Sequence, residues 1–386
     1  MRSASVFLYV QHLLGVGHLK RAATLARGFA AAGLRVTVAS GGMPVAHMDF
    51  GAARVVQLPP VATADLGFRK LVDAQGREVD DAWRARRAAA LREAWEASAA
   101  DALVVELFPF GRRQMRFELL PLLEAAAARR PRPLIVSSVR DLLGGRGSTE
   151  RQAETMAWVD RHVDRVLVHS DPAVVPFSRS FSRADELGSK LAYTGYVVDA
   201  GAAGEGAETD EVLVSAGGGA VGMPLLRAAI HARALSSARS RPWRVLGGEN
   251  VAPAALEELR QLAGREGGAG IVVERSRPDF TALLARCALS ISQAGYNTLM
   301  ETVCARARAV VVPFSGGQET EQGLRAGLFA ERGLVEVVEE SALTPASLAS
   351  AIDRAMAKPR PGSLALDVDG ANRSARLLQE WLGAGA

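Results

Sequence analysis

The stretch from Ser292 to Glu301, SQAGYNTLME, combines residue types that could bind a nucleotide. An apolar run predicted as a buried strand ends at Ser292, Gly295 allows a turn, and Asn297 or Thr298 begins a predicted helix. The N–H groups of a helix start and these polar side chains can hydrogen-bond phosphate oxygens. Glu301 falls one turn later on the same face, about 5–6 Å from Asn297 between Cβ atoms. A carboxylate there suits ribose hydroxyls, so the spacing predicts a nucleoside diphosphate site.

A glycine-rich turn, Gly217, Gly218 and Gly219, follows the first strand predicted in the second half of the chain. With Gly222 it matches G-x-G-x-x-G, which is a weak signal when it stands alone. No acidic residue ends the next predicted strand, because Glu249 comes only after two glycines. The turn therefore favours a pyrophosphate over a nicotinamide dinucleotide, with a purely structural turn as the alternative.

The segment Gly15-Val-Gly17-His18 lies between the first predicted strand and a predicted helix. Lys20 stands where a dinucleotide fingerprint needs its third glycine, and the second predicted strand closes on Ser40 instead of an acid. A histidine at a helix N-terminus is held neutral by the helix dipole, so His18 can take a proton. The alternative is a histidine that only caps or packs.

Glu106 ends another apolar run and is the candidate carboxylate partner of His18. It could hold the imidazole in one tautomer and stabilise the protonated form. A helix cap, or a salt bridge to Arg112 or Arg113, is the alternative for this residue. Asp141, after the next predicted strand, is a similar candidate and could hold an acceptor instead.

Polar side chains also follow the strand predicted at Val310–Val312. Gln318, Glu319, Glu321 and Gln322 stand after a Gly-Gly turn at the start of the next predicted helix. Amide and carboxylate groups of this kind can hydrogen-bond sugar hydroxyls.

These candidates are positioned by apolar runs that alternate with helical segments, which is typical of parallel sheets covered by helices on both faces. The predicted strands are Val6–Val10, Val36–Ala39, Val55–Leu58, Leu103–Val105, Leu134–Ser137, Val166–His169, Val212–Ser215, Val245–Leu246, Ile271–Val273, Leu289–Ser292 and Val310–Val312. The predicted helices include Leu19–Ala32, Asp81–Ala100, Met115–Arg129, Met223–Ala238, Pro253–Arg265, Phe280–Cys287, Asn297–Ala305, Glu319–Arg332, Pro345–Ala357 and Gly370–Leu382.

The alternation stops at a run of small residues, which indicates two domains. We predict an α/β fold of two Rossmann-like doubly wound domains: residues 1–198, a linker at 199–209, residues 210–365, and a tail helix in 366–386 that could pack back on the first domain. Ligands of such sheets bind at the carboxyl ends of the strands, so a cleft between the domains is expected.

Composition narrows the remaining function classes. The chain has 386 residues, a net charge of +4 and two cysteines, which favours a cytoplasmic protein with buried thiols. The basic residues alternate with acids and alanines, which argues against nucleic-acid binding and leaves open a transient contact with an anionic membrane surface. Asp367-Val-Asp369 resembles a metal-binding D-x-D, but its polar surroundings favour a loop or a helix cap, so no metal is expected.

Gly15–His18, Thr194-Gly195, Gly217–Gly219 and, most specifically, Ser292–Gln322 together carry a family resemblance. The chain resembles bacterial glycosyltransferases of the GT-B type, close to the lipid II N-acetylglucosaminyltransferase with its glycosyltransferase family 28 C-terminal domain, and to UDP-glycosyltransferases. The resemblance implies an inverting, metal-independent transfer from a nucleotide diphosphate sugar, UDP-linked, with UDP-N-acetylglucosamine as one candidate. The nucleotide sugar is a co-substrate, so no cofactor is expected.

The resemblance also implies roles for individual residues. Glu301 would bind the ribose, and backbone near Arg277 the nucleobase. His18 would deprotonate the acceptor hydroxyl, with Glu106 as its partner. The diphosphate would contact Gly217, Gly218, Gly219, Ser292, Gly295, Asn297 and Thr298; the donor sugar Gln318, Glu321 and Gln322; and the acceptor loop would include Gly15, Gly17 and Asp141.

Two other functions remain open at the level of sequence. A sugar-nucleotide 2-epimerase shares the two-domain fold, and a nucleotide-sugar-binding protein without catalysis needs only the donor site. The acceptor is unknown and could be a small molecule, a peptide or a lipid-linked compound. Glu274–Phe280 replaces the tryptophan-rich segment of the plant enzymes, and Ser292 stands near the position of their phosphate-binding histidine.

Overall fold

A computed structural model describes residues 3–46, 48–63, 70–144, 147–199, 207–216, 220–248, 251–316, 320–362 and 366–383. The chain divides into two compact units. The first unit comprises Met1–Val198 together with Leu366–Ala386, and the second comprises Asp199–Ala365.

The first unit is built on a parallel sheet with helices on both faces. Its strands are β1 (Ser5–Val10), β2 (Arg35–Ser40), β3 (Arg54–Gln57), β4 (Val61–Thr63), β5 (Leu71–Asp73), β6 (Ala102–Glu106), β7 (Leu134–Arg140), β8 (Arg165–His169) and β9 (Leu191–Tyr193). Its helices are α1 (Gly17–Ala31), α2 (Asp81–Ser98), α3 (Arg116–Ala128), α4 (Thr149–His162) and α11 (Gly370–Gly383). Among the described residues the sheet order is β3-β2-β1-β6-β7-β8-β9, and β4 pairs with β5 in a separate antiparallel ribbon.

Apolar strands place this sheet in the middle of the first unit. All six residues of β1 are buried, which is expected of a central parallel strand covered on both faces. Helices α2 and α3 cover one face and α1 and α11 the other. Helix α11 approaches α1 so closely that a Cβ on Gly28 would lie 3.0 Å from the Cβ of Ala371. Only a glycine on α1 permits this approach without a shift.

The second unit repeats the plan with a smaller sheet. Its elements are β10 (Val212–Ser215), α5 (Met223–Leu235), β11 (Trp243–Gly247), α6 (Pro253–Gly267), β12 (Ile271–Arg275), α7 (Phe280–Arg286), β13 (Leu289–Ser292), α8 (Tyr296–Cys304), β14 (Ala309–Val311), α9 (Glu321–Ala330), β15 (Glu336–Val337) and α10 (Pro345–Ala357). In the described part of this unit the parallel order is β12-β11-β10-β13-β14-β15. Valines and leucines of β10, β11 and β13 pack against α5, α6 and α10 in one core.

The predicted fold class, two doubly wound α/β domains, is confirmed. The sequence prediction missed α4, whose polar character hides its buried face, and the short strands β4, β5 and β15. Helix α1 begins at Gly17 rather than at Leu19, so His18 lies inside its first turn. No helix in the described ranges is long and apolar enough to cross a membrane.

Candidate active site

In the first unit, His18 and Glu106 meet at the carboxyl edge of the sheet. Strands β1 and β6 are parallel neighbours, so the loop that leads from β1 into α1 lies beside the end of β6. His18 is in the first turn of α1 and Glu106 is the last residue of β6. The imidazole Nδ1 lies 2.7 Å from Glu106 Oε1. The pair expected from the sequence is therefore formed inside a single unit.

Arg21, one helical turn after His18, contacts the same carboxylate oxygen. Its guanidinium nitrogen also lies 3.2 Å from His18 Nδ1. An arginine can only donate hydrogen bonds. The two nitrogens are close because two donors, the Nδ1–H of His18 and the guanidinium N–H of Arg21, converge on one acceptor oxygen of Glu106. Glu106 thus pairs with Arg21, and not with the two arginines that the sequence suggested as alternatives, Arg112 and Arg113.

Burial and neighbouring charges set the protonation of this pair. Burial lowers the pKa of His18 to about 3; the charge of Glu106 opposes the shift, whereas Arg112 and Arg140 add to it. Burial acts to raise the pKa of Glu106, but the charges of His18 and Arg21 outweigh it and lower this pKa to about 2. Arg21 is permanently charged, so Glu106 is ionised at neutral pH while His18 is neutral.

A second buried histidine, His169, is the last residue of β8. The charges of Arg21 and Glu106 both act on it. His169 Nε2 lies 2.7 Å from Ser138 Oγ, and Nδ1 lies 2.9 Å from Thr194 Oγ1. Burial lowers the pKa of His169 to about 3, with the charge of Arg21 as a further contribution. Sequence analysis did not single out His169, although a histidine that closes an apolar strand is the same signal that marked Glu106.

Of the predicted acceptor residues, Gly15 and Gly17 lie next to His18 in the chain, whereas Asp141 lies two strands away in the sheet. A Cβ on Gly15 would meet no atom within 4 Å, so the space beside this glycine is open. Gly17 is the first residue of α1. Asp141 follows β7, is buried, and accepts a hydrogen bond of 2.8 Å from Leu142 N. The space beside Gly15 is open to an acceptor, and the buried carboxylate of Asp141 lies at the carboxyl edge of the same sheet.

In the second unit, two serine hydroxyls lie side by side at the carboxyl edge of the sheet. Strands β10 and β13 are parallel neighbours, and Ser215 is in register with Ser292. Both Oγ atoms are buried, and neither has a hydrogen-bond partner among the described residues. Such atoms usually find a partner, so this edge offers two hydroxyls to a ligand. The predicted residues Gly217, Gly218 and Gly219 lie outside the described residues.

The N-terminus of α8 follows the end of β13, at the same edge of the sheet. Gly295 is the N-cap residue of the helix, and as a glycine it has no side chain to cap it. Asn297 and Thr298 are half-buried in its first turn, while Glu301 follows one turn later and is buried. A Cβ on Gly295 would meet nothing within 4 Å. Ser292, Asn297, Thr298 and Glu301 thus follow one another at the end of β13 and along α8.

The residues predicted for the donor sugar and the nucleobase engage in contacts within the second unit. Glu321 is buried at the start of α9, 3.7 Å from Arg325. Gln322 Oε1 accepts a hydrogen bond of 3.1 Å from Phe314 N. The Arg277 side chain is held by Asp279, with donor distances of 2.8 and 2.9 Å. Gln318 lies outside the described residues.

Asp367 and Asp369 are engaged by the helix that follows them. Asp367 binds Arg373 at 2.7 Å, and Asp369 binds Arg376 at 2.9 Å and accepts from Asn372 at 2.6 Å. These contacts correspond to the loop and helix-cap interpretation of the D-x-D. Within the described ranges no group of three or more His, Cys, Asp or Glu side chains could hold a metal ion.

Residues 255–367 match the model of the glycosyltransferase family 28 C-terminal domain. The matched segment starts in α6 and includes β13, α8 and α9, and therefore Ser292, Gly295, Asn297, Thr298 and Glu301. A search of curated proteins finds no match.

Solved structures of glycosyltransferases share the fold over almost the entire chain. The kitacinnamycin glycotransferase is 16% identical, with a TM-score of 0.66, and the match covers 99% of this chain and 100% of that one. MurG of Acinetobacter baumannii is 15% identical, with a TM-score of 0.58 and coverage of 97% and 99%. A UDP-glucosyltransferase from Polygonum tinctorium is 15% identical, with a TM-score of 0.61 and coverage of 100% and 94%.

The chain has the fold of glycosyltransferases of the GT-B type, and the domain match supports a transferase enzyme of this class. Its second unit carries the glycosyltransferase family 28 C-terminal domain. The resemblance predicted from the sequence is confirmed at both levels.

Proposed function

We propose that the protein transfers a sugar from a UDP-linked donor to the hydroxyl of an acceptor, with inversion, without a metal, and with His18 as the general base. The observation that carries the proposal is the 2.7 Å contact between His18 Nδ1 and Glu106 Oε1. An ionised carboxylate can only accept, so Nδ1 carries the proton and Nε2 holds the lone pair. Nε2 has no hydrogen-bond partner among the described residues, so it is available to an acceptor hydroxyl.

The proposed reaction follows from this tautomer. Nε2 removes the proton of the acceptor hydroxyl while its oxygen attacks the anomeric carbon on the face opposite the diphosphate. The bond from that carbon to the phosphate oxygen breaks, and the nucleoside diphosphate leaves with the electron pair. Glu106 stabilises the imidazolium through the Nδ1–H, as the carboxylate of a catalytic triad does.

Donor binding is assigned to the second unit. The hydroxyls of Ser215 and Ser292 and the first N–H groups of α8 offer hydrogen bonds to a diphosphate, whose negative charge the helix dipole favours. Glu301 lies one turn beyond the helix start, where its carboxylate suits the hydroxyls of the ribose. Uracil and the particular sugar follow from the family resemblance alone.

The experiment that tests the function uses UDP- and dTDP-sugars with the full chain. A donor present at 100 times its dissociation constant raises the free energy of unfolding by about 2.7 kcal/mol, which a thermal shift detects. The stabilising sugar is then incubated with a panel of hydroxylated acceptors, and products are identified by mass spectrometry. Glycosylated product and free nucleoside diphosphate support the proposal. An epimerised sugar without nucleoside diphosphate would assign the 2-epimerase, and binding with no turnover of any donor would contradict catalysis.

A further inference from the structure

Arg325 is a buried arginine that contacts the turn between β13 and α8. It lies on α9, and only 1% of its surface is exposed. Its Nη1 donates a hydrogen bond of 3.3 Å to the carbonyl oxygen of Ala294, which is in the turn. Its guanidinium lies 5.6 Å from the ring centroid of Tyr296, the first residue of α8, and 3.7 Å from the carboxylate of Glu321. Arg325 therefore ties the β13–α8 turn to α9 within the second unit.

The stability of the fold is a weak explanation for this buried ion pair. Removing the charges of Arg325 and Glu321 from water is costly, and such a pair can often be replaced by apolar side chains without loss of stability. What Arg325 provides beyond the pair is a fixed hydrogen-bond donor for one backbone carbonyl, that of Ala294. The consequence of this contact lies in the turn.

The hydrogen bond to Arg325 fixes the direction of the peptide group between Ala294 and Gly295. This peptide bond is trans, and in a trans peptide the C=O and the N–H point in opposite directions. Because the carbonyl of Ala294 is directed to Arg325, the N–H of Gly295 is directed away from it. That N–H has no hydrogen-bond partner among the described residues, and a Cβ on Gly295 would meet no atom within 4 Å. The turn thus presents a backbone donor to open space.

Two further donors lie at the same edge of this sheet. Ser292 is the last residue of β13, just before the turn, and Ser215 is in register with it on β10. Both hydroxyls are buried, and neither has a hydrogen-bond partner in the described part of the chain. Buried donors of this kind usually find an acceptor. A diphosphate has enough oxygens for these hydroxyls and for the Gly295 N–H, and each hydrogen bond is strong only when its donor points at the oxygen.

We infer that Arg325 is a positioning residue of the donor site: it holds the Ala294 carbonyl so that the Gly295 N–H points at an oxygen of the diphosphate. Arg325 acts through this peptide group and not through a contact with the nucleotide. An N–H group that is fixed before the ligand arrives needs no ordering on binding, so its hydrogen bond contributes more fully to affinity. That the ligand is a nucleoside diphosphate rests on the proposed function.

The first test measures the affinity for UDP by isothermal titration on the full chain. R325M removes the hydrogen bond to Ala294 and should weaken UDP binding about tenfold, which is the effect of one misdirected hydrogen bond to a charged group. R325K should fall between R325M and the unmodified protein, because an ammonium can still donate to the carbonyl but lacks the planar fork. UDP carries no sugar, so the role predicted for Glu321 toward the donor sugar does not enter.

A double variant separates this effect from stability. R325M leaves Glu321 buried without this partner, so it should lower the midpoint of urea unfolding. R325M/E321Q removes both charges and should recover most of that midpoint, while UDP binding stays about tenfold weaker. A loss of affinity that persists when the stability returns is a loss of orientation and not of folding.

The second test observes the Gly295 amide by NMR on protein that is isotope-labelled at the glycine nitrogens. G295A assigns the signal, since the backbone of Gly295, with φ −61°, and the open space beside it both accommodate an alanine. Saturating UDP should move this amide proton downfield in the unmodified protein, as a hydrogen bond to a phosphate does, and should move it much less in R325M/E321Q. A merely structural role of Arg325 would weaken binding without singling out this amide.

The matched control is R332Q. Arg332 is exposed just after the end of α9, and its guanidinium donates to the carbonyl of Leu328 at 2.7 Å. Its removal takes away a hydrogen bond of the same kind and should leave the UDP affinity unchanged. A UDP affinity of R325M/E321Q within about twofold of the unmodified protein, or a Gly295 amide that responds to UDP equally in both, would overturn the inference alone. Absence of UDP binding to the unmodified protein would overturn the proposed function and this inference together.

Discussion

His18 Nδ1 and Glu106 Oε1 lie 2.7 Å apart, although 88 positions separate the two residues in the chain. The contact exists because β1 and β6 are parallel neighbours and the first turn of α1 begins beside the end of β6. Arg21 binds the same oxygen from the next turn of α1. One carboxylate oxygen therefore orients the candidate base and neutralises a permanent cation at the same time.

Replacing Glu106 by Gln should lower the transfer rate by roughly 10²-fold or more, because the imidazolium loses its stabilising charge and the amide can impose the wrong tautomer. UDP affinity, measured by titration, should change less than about twofold, since the residues proposed to bind the donor are in the second unit. Glu96→Gln is the matched control, because this exposed carboxylate pairs with Arg92 on the surface of α2. A Glu106→Gln rate within about threefold of the unmodified protein would refute the role of Glu106 in catalysis.

Replacing His18 by Ala should reduce transfer by roughly 10²–10⁴-fold through loss of the general base. The affinity for UDP should be nearly unchanged. Initial rates at saturating donor, together with UDP titration, separate the two effects. Donor turnover that survives in His18→Ala would show that another group takes the proton.

Much of this site could be predicted because its signals are local. An apolar run that stops at a polar residue marks a strand end, and this placed Glu106 and Ser292 at the carboxyl edges of their sheets. The relation between Ser215 and Ser292 could not be predicted, since it depends on the register of strands 77 positions apart. Arg21 was overlooked despite a usable signal: it stands three residues after His18, on the same helix face.

The donor-sugar assignments show where local patterns stop being informative. Glu321 and Gln322 stand at a helix start after a strand, as a ligand-binding residue would. In the folded second unit Glu321 lies buried near Arg325, and Gln322 accepts from the backbone of Phe314. A sequence pattern identifies the edge of the sheet but not whether a side chain there faces a ligand or a neighbouring loop.

Replacing Ser292 by Ala should separate binding from stability. A buried hydroxyl without a partner destabilises the free protein, so its removal should leave the free energy of unfolding unchanged or raise it by up to about 1 kcal/mol. UDP should bind about tenfold more weakly, because one hydrogen bond to a charged group is lost. Urea unfolding and UDP titration measure the two quantities.

The control for Ser292→Ala is Ser290→Ala on the same strand. Ser290 Oγ is also buried and lacks a partner among the described residues, but it lies inside β13 and not at its end. Its removal should affect stability in the same way and leave UDP affinity unchanged. Equal losses of affinity in both variants would mean that the effect passes through the strand and not through a contact with the diphosphate.

The buried histidines should make the protein sensitive to acid well above the range in which carboxylates titrate. Burial lowers the pKa of His18 and of His169 to about 3, whereas an unfolded histidine titrates near 6.5. Between these values the unfolded chain binds protons that the folded protein does not, so the free energy of unfolding falls as the pH decreases. Above about pH 6.5 the histidines leave the free energy of unfolding unchanged. Below it, each buried histidine lowers the free energy of unfolding by up to about 1.4 kcal/mol per pH unit.

Urea unfolding of the His169→Gln variant should therefore show a shallower fall of this free energy between pH 6.5 and 4 than the unmodified protein, since the carboxylates contribute equally to both. A His169→Gln curve that runs parallel to that of the unmodified protein would mean that His169 takes up its proton without opposing the fold.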